Sequence, residues 1–222
     1  MVQNSIVECP EANVTEREAP ERPAGDRSLA RKREILAAAS RVFRRRGLQA
    51  TGMREIAAEL GMAVGNLYYY FTDKEDLLAF VQEEALAALL GIAAEIRALP
   101  EPPRRKLLRL LTEHVIRLND PDEGTPGSLA HLEVEALGER RRKAVLARRD
   151  AYERTLRDLI EEGIAAGELR ATDSRVAALV VLGALNWTVK WFRPDGPKSA
   201  RTIGREAAEM LVRGLLASGV GL

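Results

Sequence analysis

Apolar residues recur at three- and four-residue spacing along most of the chain, the signature of amphipathic helices. Ile35, Ala38, Ala39, Val42 and Phe43 predict a first helix from a cap at Ser28 to about Arg46, ended by Gly47. Ile56, Ala57 and Leu60 predict a short second helix with Thr51 as its N-cap, although Thr51-Gly-Met-Arg54 completes no capping box. Gly61 breaks that helix, and a third resumes with Leu67 and Phe71 four apart on one face. Asp73 then caps a long helix carrying Leu77, Leu78, Val81, Ala85, Leu89, Ile92 and Ile96. Two short helices joined by a glycine turn after a longer one have the outline of a helix-turn-helix. So small a unit has a thin core and must lean on the helix that follows.

The pattern continues to the C-terminus. "PEPP" (100–103) interrupts it, and further helices are expected over 104–118, 128–137 and 139–166, with Gly167 as a stop and Thr172 or Asp173 as the next cap. The stretch "RVAALVVLGALNWTVKWF" (175–192) is apolar on nearly every face, so as one helix it must be covered on all sides. A last helix over 199–216 carries Ile203, Ala207, Met210, Leu211 and Leu215. Two such C-terminal helices suit a four-helix bundle built across a two-fold axis. The expectation is an all-α chain of about nine helices, with a disordered tail (1–27), a helix-turn-helix unit (28–74) and a helical remainder (75–222).

Composition narrows the class. Ala, Leu, Arg and Glu dominate, and 46% hydrophobic with 30% charged residues is ordinary for a globular protein. The single cysteine, Cys9, excludes a disulfide framework and a cysteine-based metal site. Glu8 and Glu11 with no apolar run argue against a signal peptide. The longest uninterrupted apolar run, 177–185, falls far short of the ~18 residues of a membrane span, so a cytoplasmic location without membrane contact is expected. Charge is more telling when divided. Net charge is +1, yet residues 28–74 hold nine basic against four acidic groups, while residues 1–27 hold three against six. A local basic patch on a near-neutral chain fits a polyanion such as nucleic acid, and also fits a solvated helix face.

The basic segment contains "GNLYYYF" (65–71). Successive helical residues step about 100° around the axis, so three consecutive tyrosines cannot share one core. With Leu67 and Phe71 inward, Asn66, Tyr68, Tyr69 and, at the edge, Tyr70 turn outward. Phenol hydroxyls donate to phosphate oxygens, an asparagine reaches base edges, and Lys74 supplies a point charge. Gly65 lets the helix start approach a duplex closely. The alternative for Tyr68 and Tyr70 is half-buried support of the next helix.

Residues 31–81, "RKREILAAASRVFRRRGLQATGMREIAAELGMAVGNLYYYFTDKEDLLAFV", resemble the DNA-binding domain of TetR-family transcriptional regulators. The resemblance implies an all-α, Ω-shaped homodimer whose 75–222 portion binds ligand and dimerises. Its two heads enter successive major grooves on half-sites ~34–36 Å apart. It places DNA contacts at Thr51, Met53 and Arg54, at Gly65, Asn66, Tyr68, Tyr69 and Tyr70, and at Lys74. Two departures stand out. Ala63 replaces the usual hydroxyl residue, removing a side-chain cap worth about 1 kcal/mol, and Val64 replaces a polar one.

In the C-terminal part, "RRDAYERTLRDLIEEGIAAGELR" (148–170) and "NW-x-x-x-WF-x-P-D-G" (186–196) resemble a subgroup that responds to acyl-CoA thioesters and represses fatty-acid, aromatic-acid or steroid degradation. The resemblance suggests a ligand site drawn from Asn186, Trp187, Trp191, Tyr152, Arg148 and Arg149, with Asn186 bonding a thioester carbonyl. Arg140, Arg141, Arg142 and Lys143, with Arg148 and Arg149, would hold the CoA phosphates. Against this, both tryptophans suit packing or dimer anchoring, Asn186 suits a hydrogen bond across the two-fold, and the basic run suits a solvated face. His114 and His131 lack the partners a metal site needs, and no cofactor loop or catalytic constellation stands out. The expected partners are an operator duplex, a small-molecule effector and a second copy of the chain. Competing readings are a sensor of small aromatic or multidrug ligands, and a helical interaction module with a vestigial head.

Overall fold

The computed structural model describes residues 25–47, 50–120, 134 and 137–221. Most of the tail expected over 1–27 and of the element expected over 128–137, with His131, lies outside them, as do the side chains of Arg44 and Arg45. Nine helices stand among the described residues: α1 (Gly25–Arg46), α2 (Met53–Glu59), α3 (Val64–Tyr70), α4 (Lys74–Arg97), α5 (Pro103–Asn119), α6 (Glu139–Ala165), α7 (Ser174–Asn186), α8 (Thr188–Trp191) and α9 (Ala200–Leu215).

Two of the expected caps form: Asp73 accepts from the Asp76 amide (2.6 Å) and Asp173 from that of Val176 (2.9 Å). Ser199, not expected as a cap, accepts from the Thr202 amide (3.2 Å). Ser28 does not cap α1, which already begins at Gly25, and Thr51 does not cap α2. Thr51 donates its hydroxyl to the Gly47 carbonyl (2.8 Å), and Gly52 occupies the N-cap of α2. There the Gly52 amide donates to Glu55 Oε2 (3.0 Å), so Glu55 stabilises the helix start from inside. The hydrogen bonds from its own amide and from that of Gly52 hold the Glu55 carboxyl below the usual carboxylate range.

Two cores follow from the apolar stripes. The first joins Ile35, Leu36, Ala39 and Phe43 of α1 to Ile56 and Ala57 of α2, Leu67 of α3, and Phe71. It closes only with Leu77, Leu78, Val81 and Leu86 of α4, and with Val134, Leu137 and Val145. The helix-turn-helix unit thus completes its core with α4 and the entrance to α6. Gly61, at φ +62°, makes the turn between α2 and α3 in a conformation that favours glycine.

The second core packs α4, α5, α6, α7 and α9 around Leu107, Leu110, Leu111, Leu159 and Ile160. α5 and α9 cross closely enough that a Cβ at Gly204 would lie 2.8 Å from the Thr112 carbonyl oxygen. α4 has the length and apolarity of a membrane span, which the count of uninterrupted apolar residues overlooked. Half of that window is buried inside the fold, with Leu77, Val81 and Leu89 supplying the two cores.

The long apolar stretch is two helices, α7 and α8, with a turn at Trp187. The Thr188 hydroxyl donates to the Leu185 carbonyl (2.6 Å) and accepts from buried Asn119 (2.7 Å), competing locally with the helical ladder.

Candidate nucleic-acid interface and effector cavity

Leu67, with 0% of its surface exposed, and Phe71, with 1%, set the rotation of α3. Each buried side chain contributes about 1.5–3 kcal/mol, and rotating the helix to bury Tyr68 and Tyr69 would expose Leu67 and Phe71. Tyr68 and Tyr69 therefore face solvent, beside exposed Gly65 and Asn66. Tyr70 is half-buried against the head core and meets Tyr69 edge-on, with ring centroids 5.1 Å apart. No side chain caps α3: Ala63 offers only its carbonyl, which accepts from the Asn66 amide (2.9 Å).

Not all of the basic excess is available around this shelf. Arg31 pairs with Glu34, Arg33 with Glu84 (2.8 Å) and Arg41 with Glu59 (3.3 Å), while Lys32 lies over the Phe71 and Phe80 rings. Arg46 and Arg54 are exposed and Lys74 is partly so. An exposed aromatic and amide shelf on a segment that also exposes these cations matches the chemistry of a duplex groove and its phosphates.

In the second core, a cavity of about 450 Å³ opens among α4, α5, α6 and α7. Its walls are mostly apolar, with Ala85, Leu86, Leu89, Leu118 and Leu182 among them. One wall carries a polar relay through buried His114, whose Nδ1 is 3.0 Å from the Tyr152 hydroxyl and whose Nε2 is 2.9 Å from Asn186 Oδ1. Because Oδ1 only accepts, Nε2 carries the proton and donates to it, and the Tyr152 hydroxyl donates to Nδ1. Burial drives the His114 pKa down to about 4, only partly offset by the bond to Asn186, so the ring is neutral near pH 7. Burial likewise pushes the Tyr152 phenol up, keeping it a donor. The Asn186 amide nitrogen, Nδ2, is the donor at the end of this relay. On the α6 wall, Glu153 Oε1 is buried without a partner among the described residues.

Family comparison agrees with this geometry. The pattern for "Bacterial regulatory proteins, tetR family" matches residues 35–81, and that for "Tetracyclin repressor-like, C-terminal domain" matches residues 100–215. The chain belongs to the TetR family. It is 28% identical over 211 residues to the HTH-type transcriptional repressor KstR2 of Mycolicibacterium smegmatis, covering 90% of this chain and 97% of that one. Among solved structures, it resembles the TetR-family regulator PfmR from Thermus thermophilus (TM-score 0.74, 29% identity, 82% of this chain and 99% of that one). It also resembles AibR in complex with isovaleryl coenzyme A and operator DNA (TM-score 0.72, 26% identity, 84% and 98%).

On this TetR-family framework the sequence-derived residues divide. Arg54, Gly65, Asn66, Tyr68, Tyr69, Tyr70 and Lys74 reach the surface in part or in full. Thr51 and Met53, only 2% and 7% exposed, do not; they are interior supports of α2, a correction forced by the Thr51–Gly47 bond and the packing of Met53 in the head core.

Among the ligand candidates, Asn186, Tyr152 and Arg149 line the cavity, and Arg149 also donates to Gln82 Oε1 (3.0 Å). Arg148, Trp187 and Trp191 do not line it. Trp191 instead borders a separate groove of about 570 Å³ with Phe192, Pro197 and Met210. Asn186 Oδ1 is satisfied by His114 within its own chain. Arg141 is engaged with carboxylates of α4, leaving Arg140, Arg142, Lys143 and Arg148 exposed on α6. The sequence marks His114 only as a histidine without metal partners, and nothing in it singles out Glu153. The available signal was a histidine on the apolar stripe of α5 between Leu110 and Leu118.

Large apolar side chains near the C-terminus are left uncovered. Val176, Leu179, Val180 and Trp187 on and just after α7, Trp191 on α8 and Met210 on α9 are each at least half exposed. The expectation that the long apolar stretch is covered on all sides is not met within a single chain.

Proposed function

We propose that this chain is a homodimeric, cytoplasmic transcriptional repressor that binds an operator duplex through α3 and is released from it by an acyl-CoA-type effector held in the α4–α7 cavity. The carrying observation for DNA binding is the shelf of Asn66, Tyr68 and Tyr69, turned outward by the burial of Leu67 and Phe71. In this reading residues 28–74 form the DNA-binding head and 75–222 the ligand-binding and dimerisation part, with the uncovered apolar side chains of α7 and α9 meeting their two-fold mates. Exposed apolar patches of this kind mark association surfaces.

Lys74→Ala is expected to weaken binding to all duplexes and to reduce the salt slope by about 0.9. Tyr69→Ala is expected in addition to relax preference among sequences. Gel shifts in which both variants match wild type would place the docking face elsewhere.

The acyl-CoA reading is supported by the cavity's chemistry and by the AibR complex, which contains isovaleryl coenzyme A and operator DNA. A cavity of about 450 Å³ holds a short acyl group in its apolar part. Asn186 Nδ2 would donate to the thioester carbonyl, and Glu153 Oε1 would accept from a pantetheine amide. Isothermal calorimetry with isovaleryl-CoA is expected to show saturable heat absent with free isovalerate. Binding of the free acid alone, or of aromatic dyes alone, would favour the drug-sensor reading.

A further inference from the structure

The N-terminal turn of α6 is fastened to the N-terminal turn of α4 by one arginine. Arg141 Nη1 lies 3.3 Å from Glu75 Oε1 and 3.6 Å from Asp73 Oδ1, and its Nη2 lies 3.3 Å from Asp76 Oδ1. A second tie runs alongside: the Gly138 amide, just before α6, donates to Glu75 Oε1 (2.6 Å).

Those carboxylates already have work at the start of α4. Asp73 caps the helix through the Asp76 amide, and Asp76 Oδ2 accepts from the Thr72 amide (3.0 Å) and hydroxyl (3.3 Å). Thr72 is two residues from Tyr70, with buried Phe71 between them. Three carboxylates within four residues repel one another, and the arginine from another helix neutralises that repulsion in a fixed, forked geometry.

We infer that Arg141 is the positioning residue that sets α3 at the angle needed to read DNA, by holding the first turn of α4 from the side of the effector cavity. This rests on the operator-binding reading above and adds the route between the two sites. α6 is one unbroken helix of 27 residues. Leu146 and Tyr152 on it line the cavity, and Tyr152 stands 11 residues from Arg141, about 16 Å along the axis. A shift of that wall reaches the arginine without crossing any loop. Arg141 itself does not read the duplex: its guanidinium is taken up by carboxylates.

The test uses the duplex that wild-type protein recovers from a random-sequence pool, titrated by fluorescence anisotropy over a range of salt. Arg141→Gln is expected to bind about tenfold more weakly with the wild-type salt slope, since no phosphate contact is lost. Glu75→Gln should reproduce the loss, and Arg141→Lys should recover part of it. Amide exchange should accelerate at residues 72–77 in Arg141→Gln and stay unchanged at residues 156–160, a pattern that general destabilisation does not produce. Wild-type affinity in Arg141→Gln, or a loss with a slope reduced by about 0.9, overturns the inference; the latter makes Arg141 a phosphate contact. If wild-type protein recovers no duplex, the regulator reading fails, and the exchange comparison alone decides whether Arg141 holds α4.

Discussion

Val180→Glu combined with Met210→Glu is expected to yield a monomer that binds operator at least a hundredfold more weakly than wild type. Val180 and Met210 are 62% and 70% exposed, on helices whose inner faces are already packed into the second core. Introducing carboxylates there changes little within one chain. Across a two-fold axis each substitution appears twice, so four carboxylates would have to be desolvated at one interface, at several kcal/mol each. Loss of the dimer uncouples the two heads, and linked binding events commonly contribute 10²–10⁴ in affinity. Light scattering checks the mass, anisotropy checks the affinity, and circular dichroism should show unchanged helicity. A variant that remains dimeric, or a monomer with full operator affinity, would sink the two-headed reading.

Stability is expected to fall as pH drops from about 6.5 towards 4, through His114. Its imidazole titrates near 6.5 in the unfolded chain, whereas burial lowers the folded value to about 4. Between those values the unfolded state binds the extra proton, so stability rises with pH and is lost on acidification. The full effect is present above pH 6.5. Each pH unit inside the window is worth up to about 1.4 kcal/mol, or roughly 3 kcal/mol across it. Protonation would also remove the acceptor that the Tyr152 hydroxyl uses. Urea midpoints measured at pH 7.5, 6 and 5 for wild type and His114→Gln isolate the contribution, since carboxylate effects are common to both. The wild-type curve should be the steeper of the two. Parallel curves would mean that His114 titrates alike in the folded and unfolded protein, as a solvated imidazole would.

Much of the helical layout was legible in the chain, and the reasons are local. A cap such as Asp73 or Asp173 bonds an amide only three residues away, so spacing suffices to find it. The outward turn of Tyr68 and Tyr69 follows in the same way from Leu67 and Phe71 and the 100° helical step. Local reasoning failed where two short-range options competed. Thr51 could cap α2 or bond back to Gly47, and the second won because Glu55 was placed to serve the Gly52 amide. At Trp187 the apolar pattern ran on unbroken, while the Thr188 hydroxyl and Asn119, 69 positions away in sequence, interrupted the helix.

What the sequence by itself determined was therefore most of the helices, the helix-turn-helix and its aromatic face, and, through the motifs at 31–81, membership of the TetR family. These depend on periodicity and neighbours within a few residues. Only the tertiary structure decided which polar side chains meet. His114, Tyr152 and Asn186 converge from three helices, Arg141 reaches a carboxylate cluster more than 60 residues earlier, and the tryptophans fall outside the cavity. Such contacts are set by how helices cross, and a crossing is determined by the whole core, which no stretch of sequence contains.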